Sequence, residues 1–314
     1  MIMRLKQLRN IIGFSLGRLY PVYAHYGLTH KCNLSCYMCK VKEDIGHEEL
    51  SLKEIRFLTE NLASKGIVYV SIGGGEPLVR DDIVGVIKIF KQHSIRVRLL
   101  TNGVLLNREL LIKLKEAGLS DISISLDTLD KNKCNLITGS DCFNKVINSI
   151  SLIGQHFNRG INLINVVISK YNIDELSNLV EFAKKHRFKI SLIPIEGAEN
   201  SFTSADRLKI ETVVNALDRK ALFNSNEFLN HMIDYLCGEF KMGGCFAGKL
   251  YISISPSGDI SPCHMYNFND ADWQIELKSC SGCMRPCWKE IDYLYTQPIN
   301  RLKLASKHLG SYIT

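Results

Sequence analysis

The chain has 314 residues, 39 basic and 32 acidic, a net charge of +7 and 46% apolar side chains. That is enough to bury a core for one large domain with a small appendage. No run of about 18 apolar residues and no signal peptide with a small-residue cleavage site is seen, so the reading excludes a transmembrane helix and places the chain in the cytoplasm. The charge reads as spread along the sequence, without the dense basic tract of a dedicated nucleic-acid binder, and no nucleic-acid partner is favoured.

Residues 1–18 read as an amphipathic helix, with Ile2, Leu5, Leu8, Ile12 and Leu16 at near-helical spacing and Arg4, Lys6, Arg9 and Arg18 between them. Three uses are open to it: packing on the body of the protein, docking a partner protein, or resting on an anionic membrane and delivering the active site to a lipid-linked substrate. A strand follows over 23–29, then Cys32, Cys36 and Cys39 in C-x3-C-x2-C spacing. A helix capped by Ser51 runs to Lys65. The strand 67–72 runs into Gly73-Gly74-Gly75-Glu76-Pro77, and a helix covers 81–93. The strand 96–100 ends at Thr101-Asn102-Gly103, and the helix 107–117 stops at Gly118. The strand 121–125 ends at Ser125, just before Asp127. Helices near 142–156, 173–186 and 204–218 alternate with strands 162–168 and 189–195, the last leading into Glu196.

Six strand-then-helix units imply a parallel sheet with right-handed crossovers, curled into a partial (β/α)6 TIM-like barrel whose chemistry lies at the carboxyl ends of the strands. Glu196, and more weakly Asn165, read as active-site groups on that ground. Tyr251 is a further weak candidate. From about residue 220 the pattern changes to a helical linker. From 245 it becomes short-stranded and cysteine-rich, with a hairpin turning at Pro256-Ser257-Gly258-Asp259. The domains are therefore read as 1–20, 21–219, 220–244 and 245–314.

Eight of the eleven cysteines cluster at metal spacings, which suits a reducing interior. Three thiolates at Cys32, Cys36 and Cys39 leave one iron of a four-iron cubane without a protein ligand, and that open iron is a chemical site. A zinc knuckle or a redox-sensing thiol group is the alternative. Cys245 and Cys263 flank the hairpin, and Cys280, Cys283 and Cys287 follow at C-x2-C-x3-C spacing. Five cysteines are one too many for one fully ligated cubane and too few for two; an all-cysteine zinc site also fits the count. Cys134, Cys142 and Cys237 fit no ligand spacing and read as small buried apolar residues.

The first cysteine motif, the glycine run and the strand-end residues together resemble the radical S-adenosylmethionine superfamily. The resemblance implies a [4Fe-4S] cluster on Cys32, Cys36 and Cys39 that binds S-adenosylmethionine (SAM), with cofactor contacts from Met38, Gly73, Gly74, Gly75, Glu76, Pro77, Thr101, Asn102, Ser125 and Asp127. It further implies reductive cleavage by an external electron donor such as flavodoxin or ferredoxin, and a 5′-deoxyadenosyl radical that takes hydrogen from substrate. The C-x12-G-x4-C stretch resembles a SPASM domain in its short, twitch form. That implies one auxiliary iron-sulfur cluster, expected as [4Fe-4S], on Cys245, Cys263 and two of Cys280, Cys283 and Cys287. A small or lipid-linked metabolite is the expected substrate, for oxidation or C–C or C–X bond formation, with ribosomal-peptide maturation as the alternative. An RNA-modifying protein and a non-catalytic electron carrier are the readings from other classes. The Arg-containing tail with which the family's molybdenum-cofactor cyclase holds its nucleotide is not evident, only Arg285 lying near the last cysteines, and this argues against that activity.

Overall fold

The computed structural model describes residues 5–39, 48–158, 160–195, 202–240, 245–263, 284–298 and 301–302. Its frame is one open sheet with strand order β6-β5-β4-β3-β2-β1-β7-β8. The strands are β1 (Tyr23–Thr29), β2 (Tyr69–Gly74), β3 (Arg96–Thr101), β4 (Asp121–Ser125), β5 (Leu163–Ile168), β6 (Lys189–Pro194), β7 (Tyr251–Ile254) and β8 (Ile260–Ser261). All neighbours are parallel except the β7–β8 hairpin. The six expected strand-helix units are present and the sheet is not closed. The hairpin adds to it, because β7 lies parallel on β1 with Tyr23 opposite Tyr251.

Helix boundaries follow their caps. Helix α1 spans Leu5–Ser15, and α2 (Leu52–Lys65) starts at a capping box between Ser51 and Glu54 and stops at left-handed Gly66. Helix α3 is Ile83–Gln92, and α4 (Arg108–Ala117) runs from an Asn107 cap to left-handed Gly118. Strand β2 begins at Tyr69, later than the apolar run suggests, because the Ile67 and Val68 amides donate instead to Leu62 and Val22. Helix α5 (Lys131–Thr138) was not expected. Its sequence is mostly polar, yet Asp130 caps its start and Gly139 its end. Helices α6 (Phe143–His156), α7 (Leu176–Lys185), α8 (Arg207–Ala216), α9 (Asn226–Leu236) and α10 (Pro286–Thr296) complete the order.

Alternation along the strands separates two faces. Ala24, Tyr26, Val70, Ile72, Val97, Leu99, Ile122, Ile124, Val166 and Leu192 are buried under the helices. The concave face carries Tyr23, His25, Gly73, Arg98, Asp121 and Ser123, a polar lining suited to a ligand. At its amino end Arg98 donates to the Tyr69 hydroxyl (3.0 Å) and Ser123 Oγ (2.9 Å), and the Tyr69 hydroxyl donates to Asp121 (2.8 Å). These bonds fix the floor of the barrel.

Helix α1 packs on that floor. Gln7 Nε2 donates to the carbonyls of Ile67 and His93, and Asn10 Nδ2 to those of Pro21 and Lys65, all in segments that enter β1, β2 or β3. Of the three uses open to α1, packing on the body of the protein is the one seen, and the helix sits at the end of the barrel opposite the cysteine loop, a position that does not bring the site to a membrane.

Candidate functional site

Beyond Thr29 the chain crosses the carboxyl ends of the strands and brings Cys32, Cys36 and Cys39 together. Cys32 and Cys36 are half-buried and Cys39 is exposed. Burial pushes the Cys36 thiol up to about 12, and the neighbouring Cys39, Cys32 and Asp127 add to the rise. The loop is held mainly by main-chain bonds. Ser35 N and Tyr37 N donate to the Thr138 and Ile137 carbonyls at the end of α5 (3.0 and 3.1 Å), and Cys39 N donates to Cys36 O (3.1 Å). The Cys32 sulfur accepts from Leu34 N (3.5 Å) and Asn102 Nδ2 (4.0 Å). Met38 is half-buried against the main core. Among the described residues no three His, Cys, Asp or Glu side chains close around a single ion. Three thiols on one loop can each supply a ligand to a separate iron of a polynuclear cluster.

The glycine run is clamped to this loop. Gly75 N donates to Thr29 O (2.7 Å) and Glu76 N to Lys31 O (2.8 Å). Gly74 has φ +100°, and a Cβ there would lie 2.6 Å from Thr29 O; one on Gly75 would lie 2.1 Å from Lys31 O. Only glycine permits that approach. Glu76, 1% exposed, accepts from Thr101 Oγ1 (2.7 Å), Asn102 N (2.6 Å) and Leu78 N (3.0 Å). Burial raises its pKa against these bonds. The side chains of Glu76, Pro77 and Thr101 are thus buried in the scaffold that joins β2 to β3, while Gly74 and Ser125 are exposed at the mouth. Asn102 Nδ2 donates to Asn33 (2.8 Å), tying β3 to the cysteine loop. Ser125 pairs with Asn165 across β4 and β5. Asp127 accepts from Val167 N (2.7 Å), and burial pushes its carboxyl up to about 6.

Deeper in the concave face, burial and then the Arg285 charge hold His25 down at about 4, so its imidazole is neutral at physiological pH. A Cβ on Gly73 would meet His25 Cε1 at 3.4 Å and Leu100 Cδ1 at 3.1 Å, which places all three on one face.

The hairpin brings Cys245 and Cys263 to one apolar cluster with Tyr251. Cys245 Sγ lies 3.1 Å from the Tyr251 hydroxyl, and Asp292 accepts from Tyr251 (3.4 Å), Lys289 Nζ (3.1 Å) and Phe246 N (3.3 Å). Lys289 and Asp292 are each 3% exposed. Burial pushes Asp292 up to about 6, with Lys289 pulling the other way. Glu196, Cys280 and Cys283 lie outside the described residues, as does the side chain of Cys287 in the first turn of α10.

Cys134, Cys142 and Cys237 are buried, as expected. The sequence reading missed the support from α5, the hydrogen bond from Asn102 to Cys32, His25, and the buried Lys289–Asp292 pair. Asp130 and Gly139 were the available signals for α5; the other three depend on tertiary contacts.

A family model described as the radical SAM superfamily matches residues 26–183. A probable GTP 3',8-cyclase of Sulfurisphaera tokodaii is 33% identical over 248 residues, 75% of this chain and 79% of its own length. The GTP 3',8-cyclase of Clostridium perfringens is 34% identical over 262 residues, 77% and 80% of the two chains. Among solved structures, Streptococcus suis SuiB bound to S-adenosylmethionine is similar with a TM-score of 0.64 at 19% identity, over 81% of this chain and 62% of SuiB. The chain therefore spans less than two thirds of SuiB. The anSMEcpe structure with bound AdoMet gives 0.58 at 18% identity, over 83% and 81%. At these identities the structures show a shared fold.

Proposed function

The chain belongs to the radical SAM superfamily, and from that premise we propose that Cys32, Cys36 and Cys39 hold the [4Fe-4S] cluster and that the enzyme removes a hydrogen atom from a small polar metabolite in the barrel mouth. The observation that carries this is the clamp of Gly75 and Glu76 onto the cysteine loop, which sets an unshielded glycine backbone beside three thiols. When bound, the cluster and SAM supply a one-electron reductive cleavage that yields a 5′-deoxyadenosyl radical, the electron coming from a donor such as flavodoxin or ferredoxin.

The chain's own residues orient and exclude. Gly74, exposed at the mouth, leaves main-chain groups open to the amino group of the cofactor, with Gly73 buried next to it. Asn102, Ser125 and Asp127 line the strand ends where its ribose and carboxylate would lie, and the end of α5 closes the loop from behind. Glu196, following β6, is assigned to the substrate side. Cys245 and Cys263, with two of Cys280, Cys283 and Cys287, would hold an auxiliary cluster serving as electron acceptor or substrate anchor. A lipid-linked substrate loses support from the position of α1. Oxidation or bond formation on a soluble metabolite keeps it, and peptide maturation has no specific observation in its favour.

A purine nucleotide is the second reading, favoured by the cyclase relatives at 33% and 34% identity. Arg285, close enough to His25 to depress its pKa, is a cation at the concave face. The test is anaerobic reconstitution with iron and sulfide, reduction in the presence of SAM, and assay of 5′-deoxyadenosine with and without GTP or candidate metabolites. Wild type should form deoxyadenosine and Cys32→Ala none. Formation stimulated by GTP, with a cyclised nucleotide product, would select the second reading. No deoxyadenosine with any reductant would sink both.

A further inference from the structure

Helix α1 buries a mixed face and leaves most of its leucines uncovered. Gln7 and Asn10 are fully buried on the barrel floor, together with Ile11 and Phe14. Leu5 and Leu16 are 86% and 66% exposed, and Leu8, Ile12 and Leu19 are open as well. Leu5, Leu8, Ile12 and Leu16 border a shallow hollow of about 350 Å³ rimmed by Arg9 and Arg18.

The net charge of the chain belongs to its two ends in sequence. Residues 1–22 contain four basic side chains and 293–314 three, with no acidic residue in either segment. The remainder holds thirty-two of each sign, so the entire +7 belongs to the two ends, which corrects the reading of a charge spread along the sequence. The ends meet in the fold. The Tyr295 hydroxyl donates to Gly17 O, Arg301 Nη1 donates to Tyr295 O (2.7 Å), and the Arg301 guanidinium lies against Gly17.

We infer that this face docks on an anionic lipid bilayer, with α1 in the plane of the interface. Its leucines would enter the acyl boundary, and Lys6, Arg9 and Arg18 would reach the headgroups. Charge selects this occupant. The chain's own 303–314 segment carries Lys303 and Lys307 and no acid, so it would bring like charge to the rim. A second copy would do the same. Projecting leucines suit a deformable acyl layer, which needs no matching shape, better than a rigid protein surface. Docking by α1 turns the cysteine mouth away from the lipid, so the bilayer acts as an anchor and not as the source of substrate. This inference does not depend on the proposed chemistry.

The experiment is co-sedimentation of the full chain with phosphatidylcholine vesicles, with and without phosphatidylserine, over a salt series. Binding to the anionic vesicles alone is expected, weakening as salt rises, at roughly fivefold in affinity for each basic side chain engaged. Leu5→Ser/Leu16→Ser should lose roughly tenfold or more, with thermal stability and deoxyadenosine formation unchanged because both side chains are exposed. Absence of binding to anionic vesicles overturns the inference, as does binding undiminished in the double variant. Binding that appears only after removal of 303–314 would identify that segment as the occupant and overturn it. So would vesicle-independent dimerisation abolished by the two substitutions, or binding of acidic flavodoxin without binding of vesicles.

Discussion

The two cysteine regions are built by opposite means. Around Cys32, Cys36 and Cys39 the structure is made largely of main chain: amides of the loop and of the glycine run donate to carbonyls of β1, of the loop itself and of α5. Around Cys245 it is made of side chains, with Tyr251, Asp292 and Lys289 buried beside aromatic contacts from Phe246 to Tyr295 and from Tyr295 to Phe14. A backbone scaffold leaves one side open to a ligand and tolerates no added Cβ. A side-chain scaffold closes its site and depends on burying charge, so it should respond to pH and to single polar deletions.

The largest contrast should come from the proposed cluster ligands. Cys32→Ala should reduce deoxyadenosine formation to background, whereas Cys263→Ala should retain uncoupled cleavage while losing substrate turnover. Equal, complete loss in both would mean that the second region is needed to fold the protein. Next is Gly75→Ala, whose new Cβ would lie 2.1 Å from a backbone oxygen. We expect a cost of about 3 kcal/mol or more, seen as a fall of several degrees in Tm, and poor iron incorporation at the first region only.

The charge burial in α10 gives the pH test. Glu290 accepts from Ser225 N (2.9 Å), and burial pushes its carboxyl up to about 7. Its folded pKa is above its unfolded value, so the folded state keeps the proton longer. Stability therefore falls as pH rises from about 4.5 to about 7, and the full penalty is present above that range. Glu290→Gln removes the penalty. It should stabilise the protein by on the order of 3 kcal/mol at pH 8 and by little at pH 4, as followed by thermal melts at both. An equal gain at the two pH values would break the argument. The smallest effect is expected from Tyr251→Phe. Loss of the hydroxyl between Cys245 and Asp292 should cost about 1 kcal/mol and leave deoxyadenosine formation intact.

The same contrast explains what could be read in advance. Strands β1 and β4, the Ser51 cap and the stop at Gly118 are local features, and the sequence reading placed them. The three-cysteine loop and the glycine run were legible because their chemistry is written in residue type and spacing. The clamp between them was not, since main-chain bonds from Gly75 to Thr29 and from Glu76 to Lys31 leave no side-chain pattern. Helix α5 escaped because its polar sequence lacks an apolar stripe. For α1 the apolar periodicity was legible but its orientation was left open, because it is set by two buried amides, Gln7 and Asn10, that bind backbone carbonyls and turn the leucines outward. The parallel seat of β7 on β1 is a long-range pairing with no local signature.

The most direct test of the central account is iron per chain after anaerobic reconstitution, measured with deoxyadenosine formation in wild type and in a variant with Cys32, Cys36 and Cys39 all replaced by alanine. Two four-iron clusters predict about eight irons with cleavage in wild type, and about four with none in the variant. Unchanged iron in the variant, or cleavage that survives it, would contradict the assignment of the open cluster to the first region.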